Sequence, residues 1–210
     1  MDEQIKILYE DKDVWVCVKP VGYSSEDSGG SHVNSLPASL RRMSGADYAG
    51  VVHRLDTAVG GVMVYAKNKK AAANLSKQVQ DGIMKKEYRA TVHGTPPQSG
   101  VLEDLLFHDR FTNKTFVADK QRSGVKKASL EYKTLSSEIQ NGEALTTVEI
   151  LLHTGRTHQI RVQFASRGFP LVGDGKYGAK DGCKTIALEA FRLTFKLPSS
   201  GKLSAFENNE

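Results

Sequence analysis

Cysteine is scarce in this sequence, and its two cysteines stand far apart. Cys17 and Cys183 form no Cys-x-x-Cys pair, which excludes a disulfide-rich scaffold and argues against a cysteine-based zinc site. Isolated cysteines are typical of cytosolic proteins, in which thiols stay reduced. The sequence therefore predicts a cytoplasmic protein without a disulfide framework.

Long apolar stretches are missing as well. The first residues, Met1–Gln4, are acidic and are not followed by the apolar region of a signal peptide. No apolar run elsewhere approaches the roughly 20 residues of a membrane-spanning helix. We therefore expect no membrane partner.

Motifs that bind nucleotides, metals or acyl groups are also absent. The chain has no GxGxxG or GxxxxGK[ST] phosphate loop and no GxSxG nucleophile elbow. Its histidines, among them His53, His153 and His158, lack the HExxH spacing of a zinc site. We predict no nucleotide cofactor, no metal and no other cofactor.

What the chain does have is a basic excess on an ordinary globular composition. Its 210 residues include 29 Lys and Arg against 24 Asp and Glu, with 39% hydrophobic and 25% charged residues. Such a chain can form a sizeable core. Its net charge of +5 suits a polyanionic partner such as nucleic acid.

Apolar periodicity predicts more strands than helices. Alternation over Ile5–Val18 indicates two strands, and the apolar run Val62–Ala66 indicates a strand buried on both faces. Helices are predicted over Leu36–Met43, after a capping Asn68, and over Thr157–Arg167. Since strands dominate without regular βαβ alternation, we predict an α+β fold with a mixed, mainly antiparallel sheet flanked by helices.

An acidic residue at a turn is the first candidate reactive group. Asp56 follows the apolar segment Tyr48–Val52 and precedes the glycine-containing Thr57–Gly61, with no second acid beside it. Strand-to-loop junctions often present reactive groups, and a lone carboxylate fits a nucleophile or base better than a metal site. From this segment alone, an ordinary turn aspartate that accepts backbone N–H groups is the favoured interpretation.

An arginine beside a glycine is the second candidate. Arg156 follows Gly155 within the dense segment His153–Arg161, at the start of a predicted helix. The planar guanidinium matches a carboxylate or a phosphate, and a helix N-terminus adds positive potential. Arg156 is therefore expected either to pair with a buried acid or to bind a phosphate.

Two further features have alternative interpretations. Tyr88 stands among cations in Lys86–Ala90, a composition that can stack a base and hold its phosphates, although core packing is favoured for a lone tyrosine. The basic stretch Phe107–Lys127 fits either a solvated hairpin or loop or an RNA-facing arm. Both alternatives stay open at this level.

Together these segments resemble the RluA-type pseudouridine synthases over almost the whole chain. The resemblance covers the entry strands with a Lys-Pro-x-Gly turn, the nucleophile motif, a Lys-x-Tyr-x-Ala strand, a Gly-Arg-Thr-His-Gln-Ile-Arg segment and a late Gly-Asp loop. Five matches in family order are highly specific. They are Ile7–Asp11 with Lys19–Gly22, Val52–Asp56, Lys86–Ala90, Gly155–Arg161, and Pro170–Asp174 with Tyr177–Gly178.

The resemblance implies isomerisation of uridine in ribosomal or transfer RNA to its carbon-linked isomer, which needs no cofactor. It implies that Asp56 is the catalytic carboxylate, which either attacks the anomeric carbon or removes the ribose 2′ proton. Arg156 matches the arginine that forms an ion pair with this carboxylate. Tyr88 matches the tyrosine that stacks on the target base.

The remaining site residues also come from the resemblance. Leu171 matches the apolar position that packs against the reacting nucleotide. Arg54 matches the arginine that helps to fill the space left when the target base leaves its stack. His53, Lys86 and Arg161 lie in the same motifs and are assigned to RNA binding, with His53 expected to fix its loop by hydrogen bonding.

Two departures from the family pattern touch none of these groups. The turn Thr57–Gly61 differs from the commoner Thr-Ser-Gly form but keeps the final glycine. Gln163 stands where many relatives carry histidine. Neither change alters the predicted roles of Asp56, Tyr88 and Arg156.

The resemblance also bears on domain organisation. The catalytic pattern begins almost at once, so we expect residues 1–210 to form a single catalytic domain, without a separate N-terminal RNA-binding domain, and to be monomeric. Such a domain would have to bind structured RNA through its own basic surface. The expected contacts are Arg41, Arg42, Lys85, Lys86 and the Phe107–Lys127 arm.

Two other functions remain as alternatives. One is a catalytically silent RNA-binding or RNA-chaperone protein on the same scaffold. The other is an Asp-dependent glycosidase, which needs a second carboxylate as general acid. Glu87 and Asp174 are the nearest acids by motif for that role.

Overall fold

Strands make up most of the regular structure in the computed structural model, which describes residues 5–27, 34–140 and 142–209. The chain divides into two units. The first unit comprises the chain up to Lys86 and the segment from Glu189 onward, and the second unit runs from Glu87 to Leu188. The strands are β1 (Ile7–Glu10), β2 (Val14–Lys19), β3 (Gly50–Val51), β4 (Gly60–Ala66), β5 (Lys85–His93), β6 (Ser99–Asp109), β7 (Lys114–Val117), β8 (Val125–Gln140), β9 (Glu143–Leu152), β10 (Leu188–Lys196) and β11 (Leu203–Glu207).

Three α-helices accompany these strands in the described part of the chain. They are α1 (Leu36–Ser44), α2 (Lys69–Gln80) and α3 (Gln159–Ala165), and a 3-10 turn covers Gly175–Tyr177. No helix within residues 5–27, 34–140 and 142–209 is long and apolar enough to cross a membrane.

The first unit is built on a sheet in which β2 and β4 are central. β1 and β4 pair antiparallel to β2, β3 pairs antiparallel to β4, and β11 pairs antiparallel to β10. β4 and β10 run parallel, with Gly61 opposite Ala190. A Cβ atom at Gly61, whose φ is +127°, would lie 2.3 Å from the Ala190 carbonyl oxygen, so the glycine that ends the Thr57–Gly61 turn is needed for this close approach.

The core of the first unit lies between its sheet and α2. Asn68 caps α2, because its side chain accepts a hydrogen bond from the Ala71 N–H at 2.9 Å. Leu75, on the apolar face of the helix, is completely buried in the same cluster as Val64 and Phe195 of the sheet. Burial of each such side chain contributes about 1.5–3 kcal/mol. The strand β4, which follows the Asp56 turn, is therefore anchored in this core.

The second unit is a sheet in the strand order β5-β9-β8-β6-β7. β8 pairs antiparallel with β6 from Val125 to Lys133 and with β9 from Leu130 to Gln140. α3 contacts this sheet through Gln163, which is fully buried and whose Nε2 donates to the Leu102 carbonyl at 3.1 Å and to Asp104 Oδ2 at 2.7 Å. Gln163 is therefore a structural residue of the helix–sheet contact.

The predicted fold class, α+β with a mixed, mainly antiparallel sheet, is confirmed. The helices predicted over Leu36–Met43 and after Asn68 are present, and part of Phe107–Lys127 forms a hairpin, which is one of the structures considered for that stretch. The helix predicted over Thr157–Arg167 is shorter, because His158 has a left-handed φ of 53° and α3 begins only at Gln159. The single catalytic domain expected over residues 1–210 stays a prediction.

Candidate active site

Asp56 lies in the turn between β3 and β4 and is half-buried. Its backbone carbonyl accepts a hydrogen bond from the Val59 N–H at 2.9 Å, which closes the turn. The next carbonyl, that of Thr57, accepts from the Gly22 N–H at 2.8 Å. The Lys-Pro-x-Gly segment and the Asp56 turn are thus joined by backbone contacts.

A buried lysine supports the same turn. Lys19, at the end of β2, is 0% exposed, and its Nζ donates to the carbonyls of Pro20 at 3.0 Å, Tyr23 at 2.8 Å and Thr57 at 3.4 Å. Burial lowers the pKa of Lys19 to about 8, and the negative charge of Asp56 opposes that fall. Lys19 therefore places a positive charge inside the scaffold that carries Asp56.

Ser25 holds the chain just before Asp56. Its hydroxyl donates to the Leu55 carbonyl at 2.8 Å and accepts from the Leu55 N–H at 3.0 Å. The Ser25 carbonyl in turn accepts from the buried Tyr65 hydroxyl at 2.9 Å. With Leu55 fixed on one side and Thr57 on the other, the backbone of Asp56 has little freedom.

His53 is buried beneath the loop, and the hydrogen bond predicted for it is present. Its Nε2 accepts from the Val64 N–H at 3.1 Å, so Nδ1 carries the ring proton, and Nδ1 has no hydrogen-bond partner in the described structure. Burial and, to a smaller extent, the charge of Lys86 lower the pKa of His53 to about 3. A buried neutral imidazole is suited to fixing the loop rather than to contacting a phosphate.

Arg54 points the opposite way from its neighbour. Its side chain is exposed and makes an ion pair with Glu26, with 2.9 Å between NH1 and Oε1. Exposed pairs of this kind contribute about 0–1 kcal/mol. Arg54 can therefore exchange Glu26 for another partner at little cost.

In the second unit, Tyr88 and Leu171 are buried around β5. Tyr88 is 5% exposed and Leu171 is fully buried. Leu171 forms an isolated antiparallel bridge with Val92, and the next residue, Val172, donates its N–H to the Thr91 carbonyl at 2.9 Å. The loop that contains Leu171 is thus attached to the strand that contains Tyr88.

Arg156 is half-buried and attached to β8. Its Nε donates to the Lys127 carbonyl at 2.9 Å, and its backbone N–H donates to Gln159 Oε1 at 3.0 Å. Gln159 is itself held by a hydrogen bond from its Nε2 to the Ser129 carbonyl at 3.1 Å. Arg156 was predicted to stand at a helix start, but it precedes α3 by three residues, so the helix N-terminus contributes less to it than expected.

Arg161 and Asp174 form a buried ion pair. Arg161 Nε lies 2.7 Å from Asp174 Oδ2 and its NH2 lies 2.8 Å from Oδ1, with side chains 6% and 1% exposed. The guanidinium also lies 5.1 Å from the centre of the Tyr177 ring. This pair fixes the Gly-Asp loop to α3, which argues against Asp174 as the general acid of a glycosidase.

Tyr177 links three parts of the second unit. Its hydroxyl accepts from the Thr115 N–H in β7 at 2.8 Å and lies 2.9 Å from His158 Nδ1. The sequence motifs included Lys19 and Tyr177 without assigning either a role, and they did not indicate Ser25. The one available signal was the lysine that ends the otherwise apolar strand Val14–Lys19.

The predicted site residues divide between the two units. The ion pair predicted between Asp56 and Arg156 joins residues of both units and stays a prediction. The first unit contains His53, Arg54, Asp56 and Lys86, and the second contains Tyr88, Arg156, Arg161 and Leu171.

In the described ranges, no three His, Cys, Asp or Glu side chains are grouped so that they could hold a metal ion.

The sequence of this chain is similar to those of known RNA pseudouridine synthases. Residues 13–166 match the family described as RNA pseudouridylate synthase. An uncharacterized RNA pseudouridine synthase of Aquifex aeolicus (strain VF5) is 35% identical over 98% of this chain and 69% of its own length. The ribosomal large subunit pseudouridine synthase D of Neisseria meningitidis serogroup A is 34% identical over 97% of this chain, which spans 57% of that relative.

Solved structures agree on the fold. The human RNA pseudouridylate synthase domain containing 1 superimposes with a TM-score of 0.83 at 22% identity, over 99% of this chain and 84% of that one. The human RNA pseudouridylate synthase domain containing 4 gives a TM-score of 0.77, also at 22% identity, over 97% of this chain and 88% of that one.

Proposed function

The chain belongs to the RNA pseudouridylate synthase family, and from this premise we propose that it isomerises uridine to pseudouridine in structured RNA with Asp56 as the catalytic carboxylate. The observation that carries the proposal is the way in which the Asp56 turn is held, by Ser25 before it, by Gly22 after it and by the Lys19 ammonium. A rigid backbone and a nearby positive charge are what an ionised catalytic carboxylate requires.

The reaction needs the carboxylate in its charged form. The N1–C1′ bond of the uridine breaks, the detached uracil turns, and a C5–C1′ bond forms, while C5 loses a proton and N1 gains one. Asp56 either attacks C1′ or removes the ribose 2′ proton, and in both routes it is regenerated at the end. The Lys19 charge and, as proposed, the Arg156 guanidinium favour the ionised state.

The other predicted residues position the nucleotide in this proposal. Tyr88 stacks on the target uracil, and Leu171 packs against the reacting nucleotide. Arg54, whose pair with Glu26 is exposed, occupies the space left by the flipped base. Lys86 contacts the RNA backbone, whereas the buried His53 and Arg161 act indirectly by fixing their loops.

The proposed RNA is ribosomal, with transfer RNA as the other possibility. Relatives named ribosomal large subunit pseudouridine synthase D support this choice. We propose the cytoplasm as the place of action, in line with the two isolated cysteines of the chain. Mapping of pseudouridine in total RNA from cells with and without the gene tests it, because the missing position identifies the substrate.

The role of Asp56 is tested by Asp56→Asn, which keeps the shape of the side chain and removes its charge. We expect tritium release from RNA labelled at uridine C5 to fall by at least about 10²-fold, with an unchanged melting temperature. Asp47→Asn, an exposed acid in the same unit, serves as the matched control and should keep full activity. Appreciable turnover by Asp56→Asn would refute the proposal, and RNA binding without any tritium release by the unmodified protein would favour the catalytically silent alternative.

A further inference from the structure

The β6–β7 hairpin exposes aromatic side chains on one face of its sheet. Phe107 and Phe116 are directly opposite each other in the antiparallel pair. Phe116 is 44% exposed, and Phe107 is partly exposed. Phe111, in the hairpin turn, is fully exposed. Exposed apolar side chains that are grouped on one face of a sheet often mark a surface that binds another molecule.

Cations cover the same two rings. The Arg122 guanidinium lies 5.4 Å from the centre of the Phe107 ring, and the Lys114 ammonium lies 5.8 Å from the centre of the Phe116 ring. These are cation–π distances, which hold a charge beside the ring and still leave it open to solvent. The segment Phe107–Lys127 has six Lys and Arg residues against two Asp, so its surface attracts anions.

The strand β8 connects this surface with Arg156. Val125 of β8 is opposite Phe107, and Lys127, two residues further along β8, lies on the same face of the sheet. The carbonyl of Lys127 accepts the hydrogen bond from Arg156 Nε at 2.9 Å. A proposed catalytic residue is therefore hydrogen-bonded to the backbone of a residue whose side chain shares a face with the exposed aromatic pair. We call Phe107, Lys114, Phe116, Arg122 and Lys127 the hairpin face.

The outer end of the β8–β9 hairpin shows that exposed apolar groups in this unit are not always accompanied by cations. Leu135 and Ile139 are 46% and 73% exposed. Residues 134–144 contain Glu138 and Glu143 and neither Lys nor Arg. That end is unsuited to a polyanion, whereas the hairpin face combines rings for bases with cations for phosphates.

We propose that the hairpin face binds nucleotides of the RNA that flank the target uridine, by stacking their bases on Phe116 and Phe107 and by pairing their phosphates with Arg122 and Lys114. This inference rests on the proposed function and adds a second RNA-binding surface to it. Stacking on an aromatic ring tolerates any base, so the face would contribute affinity rather than the choice of uridine.

The proposal is tested with Phe116→Leu, which keeps an apolar side chain and removes the ring, and with Arg122→Glu, which reverses an exposed charge. We expect each variant to weaken binding of a short fluorescent oligouridylate about tenfold. On ribosomal RNA labelled at uridine C5, KM should rise by a similar factor while kcat stays unchanged. Phe116→Tyr, which keeps the ring, should restore binding.

Ile139→Ala is the matched control, since it removes an exposed apolar side chain from the acidic end of the same unit. Unchanged binding and KM in Phe116→Leu and Arg122→Glu would overturn the inference, as would an equal loss in Ile139→Ala. Binding of an acidic protein without any binding of oligouridylate would overturn it as well. The proposed function fails separately, because in that case the unmodified protein would release no tritium although oligouridylate binding could still be measured.

Discussion

The turn that carries Asp56 and the hairpin face both depend on positive charge, but they hold it in opposite environments. Lys19 is fully buried, and its ammonium donates to three carbonyl groups. Arg122 is exposed, and its guanidinium lies over a phenylalanine ring. A buried charge fixes geometry, because breaking its contacts is costly, whereas an exposed charge is free to meet a polyanion.

This difference predicts a division between rate and affinity: the Asp56 turn should determine kcat, and the hairpin face should determine KM. Groups around Asp56 are buried and bonded from several sides, so a substitution there should change kcat or stability. Groups on the hairpin face are held by weak contacts, so a substitution there should change KM and its dependence on salt. Each of the following predictions tests one side of this comparison.

The largest expected effect is on stability, in the buried ion pair of the second unit. Asp174→Asn leaves Arg161 as a buried cation without its carboxylate, and we expect the free energy of unfolding to fall by about 3–5 kcal/mol. Urea denaturation followed by circular dichroism measures this loss.

Asp81→Asn provides the control for this measurement. It removes the same charge from the exposed pair between Lys77 and Asp81, whose side chains are 75% and 40% exposed. That change should stay within about 1 kcal/mol. Equal losses in the two variants would show that burial does not distinguish these charges.

The next effect concerns Lys19. Lys19→Met keeps the length of the side chain but removes the donor to three carbonyls and the charge near Asp56. We expect kcat to fall about 10- to 100-fold, because the turn that positions Asp56 loses its geometry. KM for RNA should stay unchanged, because the RNA-binding surface is not altered. Lys12→Met, an exposed lysine in the turn before β2, should have no effect. A rise in KM with unchanged kcat would contradict this assignment.

The pH profile gives a second measure of Lys19. Its pKa of about 8 lies below its ordinary value of 10.5 because of burial. The folded protein therefore loses this proton first, and the Lys19 contribution to stability rises between about pH 8 and 10.5. A decline of kcat above pH 8 that is absent in Lys19→Met would thus report the lost charge and not unfolding.

The sequence predicted those features that depend on local pattern. Asn68 was expected to cap a helix, and its side chain does accept the Ala71 N–H. The fold class followed from the sequence because segments with strand-like alternation of apolar residues outnumber segments with helical spacing. The family motif around Asp56 could be read directly, because its residues are neighbours in the chain.

Features that depend on tertiary contacts could not be predicted in this way. The burial of Lys19 follows from packing against Tyr23 and Thr57, which lies 38 residues away. The late start of α3 follows from the left-handed backbone of His158, which is accompanied by a Gln159 side chain that accepts the Arg156 N–H and donates to the Ser129 carbonyl. Both depend on where distant carbonyl groups lie in the folded chain, and the hydrophobic periodicity of the sequence carries no information about those positions.

The smallest effect is on the salt dependence of binding. Affinity for a labelled oligouridylate should fall linearly with salt on a logarithmic scale, with a slope of about −0.7 for each phosphate neutralised. Arg122→Gln should therefore reduce the slope by about 0.7, and Lys19→Met should leave it unchanged, because a buried ammonium releases no counterion. Lys133→Gln, an exposed lysine of β8 that is paired with Glu149, is the control and should also leave it unchanged. If Lys19→Met lowered the slope as much as Arg122→Gln did, buried and exposed charges would contribute alike, and the division between rate and affinity would be lost.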